Sequence, residues 1–344
     1  MAGGRRGIAV IGLGMAVTPH AKSLVDLTDR VEVRAAVSRS EARRKAFAER
    51  FPFPTTGDLD AVLSDPRVEA VLLLTPPNAR VEIVERLAAA GKHVLMEKPV
   101  ERTTAGALEI AEACRRAGIT AGVVFQHRFR EGSERLRRLL AEGALGEVAV
   151  VQLTVPWWRP QSYYDEPGRG TLARVGGGVL ISQAIHPLDL MLSLAGPVAE
   201  VASVAGTSRM HRMETEDFVA AGLRFLSGAM GGLIATTACH PGMAEKLVLT
   251  GTKGTATLEA GTLTLAWLDG REERHGEVAG TGGGADPMAF PHDWHKGVLT
   301  DFLDALDQGR PPRVSLGEAL RVHHLIDALL ASSSERRTVA VREA

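Results

Sequence analysis

Two ionisable side chains in this sequence stand where they could do chemistry. The first is Lys98, in Gly91-Lys92-His93-Val94-Leu95-Met96-Glu97-Lys98-Pro99-Val100. Val94-Leu95-Met96 reads as a short buried strand, and Pro99, which cannot donate to a sheet ladder, ends it. Lys98 is left at the carboxyl end of that strand, where open parallel sheets bind their ligands. The second is His186, three residues ahead of Asp189, so that on a helix both project to one face. When a hydride passes between a nicotinamide and a secondary alcohol or ketone, one proton must be moved at the oxygen. A histidine, titrating near working pH, suits that step. A lysine ammonium beside the same oxygen would stabilise alkoxide character. The competing readings are a solvated lysine closing a strand and a core histidine satisfied by its neighbour.

The elements that must position these groups begin with Ile8-Ala9-Val10-Ile11, a buried-strand run. Gly12-Leu13-Gly14-Met15-Ala16-Val17 follows at once, then a helical pattern from Pro19 to about Asp26. Strand, glycine-rich turn and helix in that order make a dinucleotide site. Gly12 permits the tight turn, and Gly14 lets a pyrophosphate approach the backbone at the helix N-terminus, beside Met15 and Ala16. The third glycine of the fingerprint is absent, with Val17 in its place, which predicts looser helix–strand packing. A second strand, Val31–Val37, ends not in the acid of an NAD site but in Ser38-Arg39-Ser40, with Arg43 and Arg44 a turn further on. A hydroxyl and a forked guanidinium suit a 2′-phosphate, so the cofactor is NADP or NAD with NADP favoured. Glu41, acting on the ribose or serving the helix N-terminus, is the alternative. The strand Ala70–Leu74 ends in Thr75-Pro76-Pro77-Asn78, a stiff loop that could wall in a nicotinamide ribose. Helices over Ala79–Ala90 and Thr104–Ala117 and a last strand at Ala121–Phe125 complete a βαβαβαβαβ pattern, a doubly wound parallel sheet.

At Gln126-His127-Arg128-Phe129 the pattern changes. A charged helix, Ser133–Glu142, precedes a long strand over Glu147–Val155. Strand-like runs at Val198–Ala205, Asp217–Phe225, Gly228–Thr237, Glu245–Gly251, Gly254–Glu259 and Gly261–Trp267 follow without intervening helices. They predict an open, mostly antiparallel sheet. Gly276–Asp286 reads as a flexible loop, and two helices, about Asp293–Gln308 and Ser315–Ser334, close the chain. The fold class is therefore α/β. Residues 1–125 form a cofactor-binding domain and residues 126–344 an α+β substrate and oligomerisation domain whose closing helices pack back towards the first. Gln126, just past the last parallel strand, would face the nicotinamide. Trp157, Tyr163 and Tyr164 suit stacking on a sugar face, with a packed corner as the alternative reading. Gln183 stands near His186 and Asp189 as a further substrate group, and Arg159, Arg169 and Arg174 offer a carboxylate or phosphate a partner. His292-Asp293-Trp294-His295 has the look of a metal pair, but no third ligand has credible spacing, so no metal is expected.

Composition narrows the field. A formal charge of -1 over 344 residues gives no reason to expect a polyanionic partner such as nucleic acid. No apolar run reaches the ~18 residues a membrane span needs. Two cysteines, Cys114 and Cys239, make no CxxC pair, which points to a cytoplasmic protein without a disulfide framework.

Gly12-Leu13-Gly14, Thr75-Pro76-Pro77-Asn78 and the Glu97-Lys98-Pro99 stretch together resemble the Gfo/Idh/MocA oxidoreductases. Gly176-Gly177-Gly178-Val179-Leu180-Ile181-Ser182-Gln183-Ala184-Ile185-His186-Pro187-Leu188-Asp189 resembles that family's second-domain signature. The resemblance spans essentially the whole chain. It implies an N-terminal Rossmann domain, a C-terminal domain with an open sheet, a nicotinamide cofactor contacted also by Glu97 and Lys98, and homodimers or homotetramers assembled through the sheet. It also implies Lys98 and His186 at the reacting centre of a sugar, polyol or sugar-derivative oxidoreductase. Two departures stand out: Ser182 where sugar dehydrogenases of the family often carry Asp, and Arg80 where they often have His. A glycoside hydrolase using NAD for transient oxidation, as some relatives do, and a non-catalytic dinucleotide sensor are the alternative functions.

Overall fold

The computed structural model describes residues 4–278 and 290–342. The loop expected over Gly276–Asp286 lies, from residue 279 onward, outside the described residues. The first half alternates β1 (Arg6–Ile11), α1 (Val17–Asp26), β2 (Val31–Val37), α2 (Glu41–Ala48), β3 (Thr55–Thr56) and α3 (Leu59–Ser64). It continues with β4 (Ala70–Leu73), α4 (Arg80–Ala89), β5 (His93–Glu97), α5 (Thr104–Ala117) and β6 (Ala121–Val124). Then come α6 (Glu131–Ala141), β7 (Val148–Pro156), three single-turn helices α7 (Gln161–Tyr164), α8 (Leu172–Val175) and α9 (Val179–Ser182), and α10 (Ile185–Ala195). A run of strands follows: β8 (Val198–Gly206), β9 (Phe218–Phe225), β10 (Met230–Thr236), β11 (Lys246–Gly251), β12 (Gly254–Glu259), β13 (Thr262–Trp267) and β14 (Glu272–His275). Helices α11 (Asp293–Gln308) and α12 (Leu316–Glu335) and the short β15 (Val339–Ala340) end the chain.

The chain divides into two compact units, 1–124 with 292–319, and 125–291 with 320–344. The first unit holds a six-stranded parallel sheet in the order β3-β2-β1-β4-β5-β6. β4 is buried at every position, as a strand covered on both faces must be. Leu24, Leu72, Leu87, Met96, Ile110 and Phe302 are among its fully buried side chains. The last of these comes from α11, which packs on α1. That corrects the expected boundary. The second domain is not one continuous segment after residue 125, because the first of the two closing helices is a covering layer of the parallel sheet.

The second unit is built on a nine-stranded sheet in the order β14-β13-β12-β11-β7-β10-β9-β8-β15. One pair, β10 with β7, is parallel and the other pairs are antiparallel. Its inner face, including Val151, Leu153, Val155, Leu233 and Leu249, is buried, and α10 and α6 pack on the sheet. β14 and β15 escaped the sequence reading because both are short edge strands, β14 being polar as well and β15 only two residues long. Among the described residues no single helix is long and apolar enough to cross a membrane.

Candidate active site

In the first unit, Gly12 sits at φ 106° with its N–H donating to Val37 O at 3.0 Å. A Cβ there would lie 2.8 Å from the Leu74 carbonyl carbon, so only glycine brings the turn this close to the end of β4. A Cβ on Gly14 would meet nothing within 4 Å, and α1 begins with no side-chain cap. Open space before uncapped N–H groups is what a pyrophosphate needs. Met15 is exposed beside it, and Val17, in place of the third glycine, is buried as the first residue of α1. Thr75 Oγ1, just past β4, is buried without a hydrogen-bond partner among the described residues, and Pro76 and Asn78 are exposed next to it. These residues fit a dinucleotide.

The turn after β2 is braced by Arg44, whose guanidinium donates to Ser38 O at 2.6 Å and Arg39 O at 3.3 Å. Ser40 caps α2 by accepting from Arg43 N. Arg39 and Arg43 are exposed, so their guanidinium groups are open to a phosphate arriving from solvent.

At the end of β5 two side chains hold Lys98. Glu97, which is 9% exposed, accepts from the Lys98 backbone N–H at 3.0 Å and from His20 Nε2 at 2.8 Å. Burial works to raise this carboxyl, but the hydrogen bond from His20, with the ammonium of Lys98 nearby, outweighs it and holds it well below the usual carboxylate range. The Lys98–Pro99 peptide is cis. Arg80 is buried in full and donates to Thr75 O from Nε at 3.0 Å and Nη2 at 2.7 Å, while Nη1 reaches the carbonyls of Glu97 and Pro99. Burial brings this guanidinium down to about 10 against the pull of Glu97 and Glu101. The departure noted in the sequence thus has a function. A forked donor set ties the Thr75 loop to the Lys98 loop, which a histidine at this position has too few N–H groups to do.

His20 and His295 extend this network, with ring centroids 4.8 Å apart and edge to face. One donor atom each from His20, Glu97 and His295 lies within 4.8 Å of the others. Chain spacing around His295 offered no third group of this kind, whereas folding supplies two. His292, the other half of the presumed pair, turns away to Asp26 at 3.1 Å.

In the second unit, His186 occupies the first turn of α10 and is 7% exposed. Its ring stacks on His127 at 5.0 Å, meets Phe125 edge to face at 5.8 Å, and has its Nε2 3.5 Å from Gln126 Nε2. Gln183 donates to Tyr163 Oη at 3.3 Å, and the Arg169 guanidinium lies 3.9 Å from the centroid of the Tyr163 ring. Arg169 also pairs with Glu166 at 2.8 Å.

Several expected substrate groups have partners inside the protein. Asp189 is fully buried, and both its oxygens accept from Arg128 at 2.7 Å, so its charge is matched inside the protein. Trp157 is buried and donates from Nε1 to Glu245 at 3.2 Å, an acid also held by Arg130 at 2.6 Å. Tyr164 shares a 2.6 Å hydrogen bond with Thr237, and burial raises its phenol above its ordinary value. Trp157 and Tyr164 are thus packed against partners inside the protein, and Tyr163 lies beside Gln183. Arg159 is 2% exposed, donates to Trp158 O at 2.7 Å and has its guanidinium 5.7 Å from the Tyr163 ring, so it is a packed side chain rather than a solvated one. Gly178 has its own explanation. A Cβ there would lie 1.7 Å from Glu216 O, and the Glu216 carboxylate accepts from Gly178 N at 3.0 Å and Leu180 N at 3.1 Å. The close approach that Gly178 makes possible is to Glu216. The sequence reading missed His20 and Glu216. The one signal for His20 was a polar residue on the apolar face of α1.

A parallel sheet with an uncapped glycine turn and a fixed lysine at its carboxyl edge defines a dinucleotide-dependent oxidoreductase. Residues 6–125 match the profile described as oxidoreductase family, NAD-binding Rossmann fold, and residues 133–257 match the GFO/IDH/MocA C-terminal domain. The chain belongs to the Gfo/Idh/MocA oxidoreductase family. It is an NAD(P)-dependent oxidoreductase acting on CH–OH groups. It is 25% identical to a myo-inositol 2-dehydrogenase of Thermotoga maritima, covering 98% of both chains. It is 23% identical to an NADP-dependent scyllo-inositol 2-dehydrogenase of Bacillus subtilis, covering 96% of this chain and 95% of that one. Among solved structures, the WlbA dehydrogenase of Chromobacterium violaceum with NADH and UDP-GlcNAcA superposes with a TM-score of 0.85 at 26% identity, covering 99% of this chain and 97% of that one. Levoglucosan dehydrogenase with NADH and levoglucosan shares the fold, with a TM-score of 0.86 at 22% identity, covering 98% of this chain and 100% of that one.

The His20–Glu97–His295 network makes stability depend on pH. His295 is held neutral, its pKa brought down to about 3 by burial first and by the neighbouring His20 second, against the opposing pull of Glu97. Its ordinary value is 6.5, so between these two values the unfolded chain binds a proton that the folded chain does not. Stability must therefore fall as pH is lowered through that window. Glu97 acts in the same sense, its contribution present above the ordinary 4.5 and lost as pH falls below it. Thermal melts from pH 7 to 4 are expected to show Tm falling, with His295 contributing a slope of up to ~1.4 kcal/mol per pH unit. His295→Phe, which keeps the edge-to-face ring contact, should flatten the curve between pH 6.5 and 4.5. A variant whose melts keep the wild-type slope would remove His295 from this role.

Proposed function

We propose that this chain transfers a hydride between the nicotinamide of NADP, or less well NAD, and a secondary hydroxyl or ketone of a sugar, polyol or sugar derivative. The observation that carries the reading is the fixing of Lys98 at the end of β5 by Glu97 and Arg80, in a family of oxidoreductases. The names of the inositol and sugar dehydrogenases it resembles support the substrate class.

The nicotinamide, when bound, accepts or gives the hydride. Gly12, Gly14, Met15 and Ala16 bind the pyrophosphate at the start of α1, while Thr75, Pro76, Pro77 and Asn78 wall in the nicotinamide half. Lys98 donates to the reacting oxygen and stabilises its developing charge, and an imidazole nitrogen of His186 takes or returns the proton. Gln126, next to His186, orients the ring and the groups around it. With Lys98→Ala or His186→Ala, turnover should fall by two to four orders of magnitude, the usual range for loss of a general acid or base, while cofactor affinity stays within a few-fold. Full turnover in both variants would sink the assignment.

Ser38, Arg39 and Arg43 choose the cofactor. A 2′-phosphate placed there would receive forked donors from Arg39 and Arg43 on a turn already braced by Arg44. NADPH should bind at least tenfold more tightly than NADH by fluorescence titration, and Arg39→Ala should erase most of that difference. A stronger affinity for NADH in the wild type would overturn the choice.

The outer face of the nine-stranded sheet exposes Val204 at 69%, Met230 at 57% and Ile234 at 47%. These residues, with Val150, line a depression of about 870 Å³ across β7, β8, β9 and β10. An apolar patch on a sheet face marks an interface, and a second copy of this chain, as a homodimer or homotetramer, is the occupant we assign. Light scattering should give a multiple of the monomer mass that collapses to one with Val204→Glu plus Ile234→Lys. A wild-type monomer at micromolar concentration would refute it.

A further inference from the structure

His186 does not stand alone. His127, from the turn that follows β6, lays its ring on that of His186, with centroids 5.0 Å apart and planes 24° from parallel. The two side chains are 2% and 7% exposed. Two imidazoles this close would compete for one proton, and a first proton would oppose a second. At ~5 Å and an effective dielectric constant of about 20, that opposition amounts to about two pH units. The charge on His127 therefore bears directly on the neighbouring base.

His127 Nε2 lies 2.5 Å from Arg130 Nη2. A guanidinium has donors and no acceptor, so this nitrogen receives the hydrogen bond on its lone pair, and the ring carries its hydrogen on Nδ1. A proton added at Nε2 would set donor against donor. Arg130 is itself 4% exposed and pairs with Glu245 at 2.6 Å, and Glu245 also accepts from Trp157 Nε1 at 3.2 Å. Burial lowers the Arg130 guanidinium, while the charge and hydrogen bond of Glu245 oppose that, and it stays protonated at working pH. The other charges packed about the two rings are matched as well. Arg128, on the same turn as His127, is held by Asp189 of α10. Glu259, at the end of β12 and close to His127 and Glu245, pairs with Lys246 at 3.0 Å.

We propose that Arg130 is a positioning residue that locks His127 in its neutral form, so that of the two stacked imidazoles only His186 takes up the proton of the reaction. The inference rests on the hydride-transfer reading above and adds to it the device that keeps its base single. In the oxidative direction the alcohol oxygen gives its proton to His186, His127 gains and loses none, and the Arg130–Glu245 pair keeps its charges. The imidazolium formed on His186 then meets an uncharged ring rather than a second positive charge.

The test follows the histidine side chains of the full-length protein by nitrogen NMR between pH 8.5 and 5, with the His127 signals assigned by their loss in His127→Phe. In the wild type, His127 should keep Nδ1 protonated and Nε2 bare at every pH, with no titration step. In Arg130→Met a step should appear, because the lone pair is released beside the Glu245 carboxylate. The acid limb of kcat/KM is read with whichever of myo-inositol, D-glucose and D-xylose is turned over with NADP or NAD. It should move to lower pH by about one to two units in Arg130→Met, since a charge on His127 opposes protonation of His186. In His127→Phe, where one uncharged ring replaces another, the limb should barely move. An arginine that merely supported the fold would change kcat or Tm and leave the limb in place. Should Arg130→Met fail to fold, the wild-type titration decides alone. A wild-type His127 that titrates in this range, or an unmoved acid limb in folded Arg130→Met, overturns the inference and leaves hydride transfer standing. Absence of turnover on every probe tells against hydride transfer, and the wild-type titration then upholds or overturns the lock on His127 by itself.

Discussion

A guanidinium buried in full holds the first unit's site together. Arg80 is buried between two loops that leave the carboxyl ends of β4 and β5, and it donates to carbonyls on both. A charged group in that position would be costly to bury if its donors were not met. Arg80 meets them with backbone carbonyls that the two loops, having left the sheet, can no longer offer to a ladder. The same burial that threatens the cation therefore makes the loops rigid. Lys98 inherits that rigidity, because the carbonyls on either side of it, those of Glu97 and Pro99, are both spent on Arg80. Glu97 completes the arrangement by receiving the Lys98 N–H and the His20 imidazole on one ionised carboxylate.

The second unit solves a parallel problem with different chemistry. The segment after β6 and helix α10 must be locked to each other if His127, His186 and Gln126 are to keep their spacing. Arg128 and Asp189 do this with a bidentate pair buried on both sides. Removing one partner of such a pair typically costs ~3–5 kcal/mol, since the other charge is left uncompensated. His186 and Asp189 share a helix face, as their spacing required. Only the histidine is left for the ligand, because the aspartate is already neutralised. A second buried pair, Arg130 with Glu245, anchors Trp157 in the same way.

This division explains what the sequence could and could not show. Local grammar was legible. The alternation of strand and helix through Val124, the glycine turn at Gly12, the stop at Pro99 and the limits of α5 and α11 all follow from nearest-neighbour rules, and all are present. The oxidoreductase class was legible for the same reason, since its motifs are short and contiguous. Partnerships over long separations were not. Asp189 is 61 residues from Arg128, and Trp157 is 88 from Glu245. An aspartate or a tryptophan near a presumed site looks the same in sequence whether it faces a ligand or a hidden arginine.

What remains after these internal pairings are subtracted is small and chemically specific. Of the polar groups around His186, Asp189 is matched by Arg128, and Arg130 is matched by Glu245. Tyr163 carries Arg169 on its ring and Gln183 on its oxygen. Among the described residues the side-chain oxygens of Gln126 and Gln183 are buried without a hydrogen-bond partner, one just past β6 and one at the junction of α9 and α10, whereas the arginine and aspartate that lock these two segments together have met each other's charge.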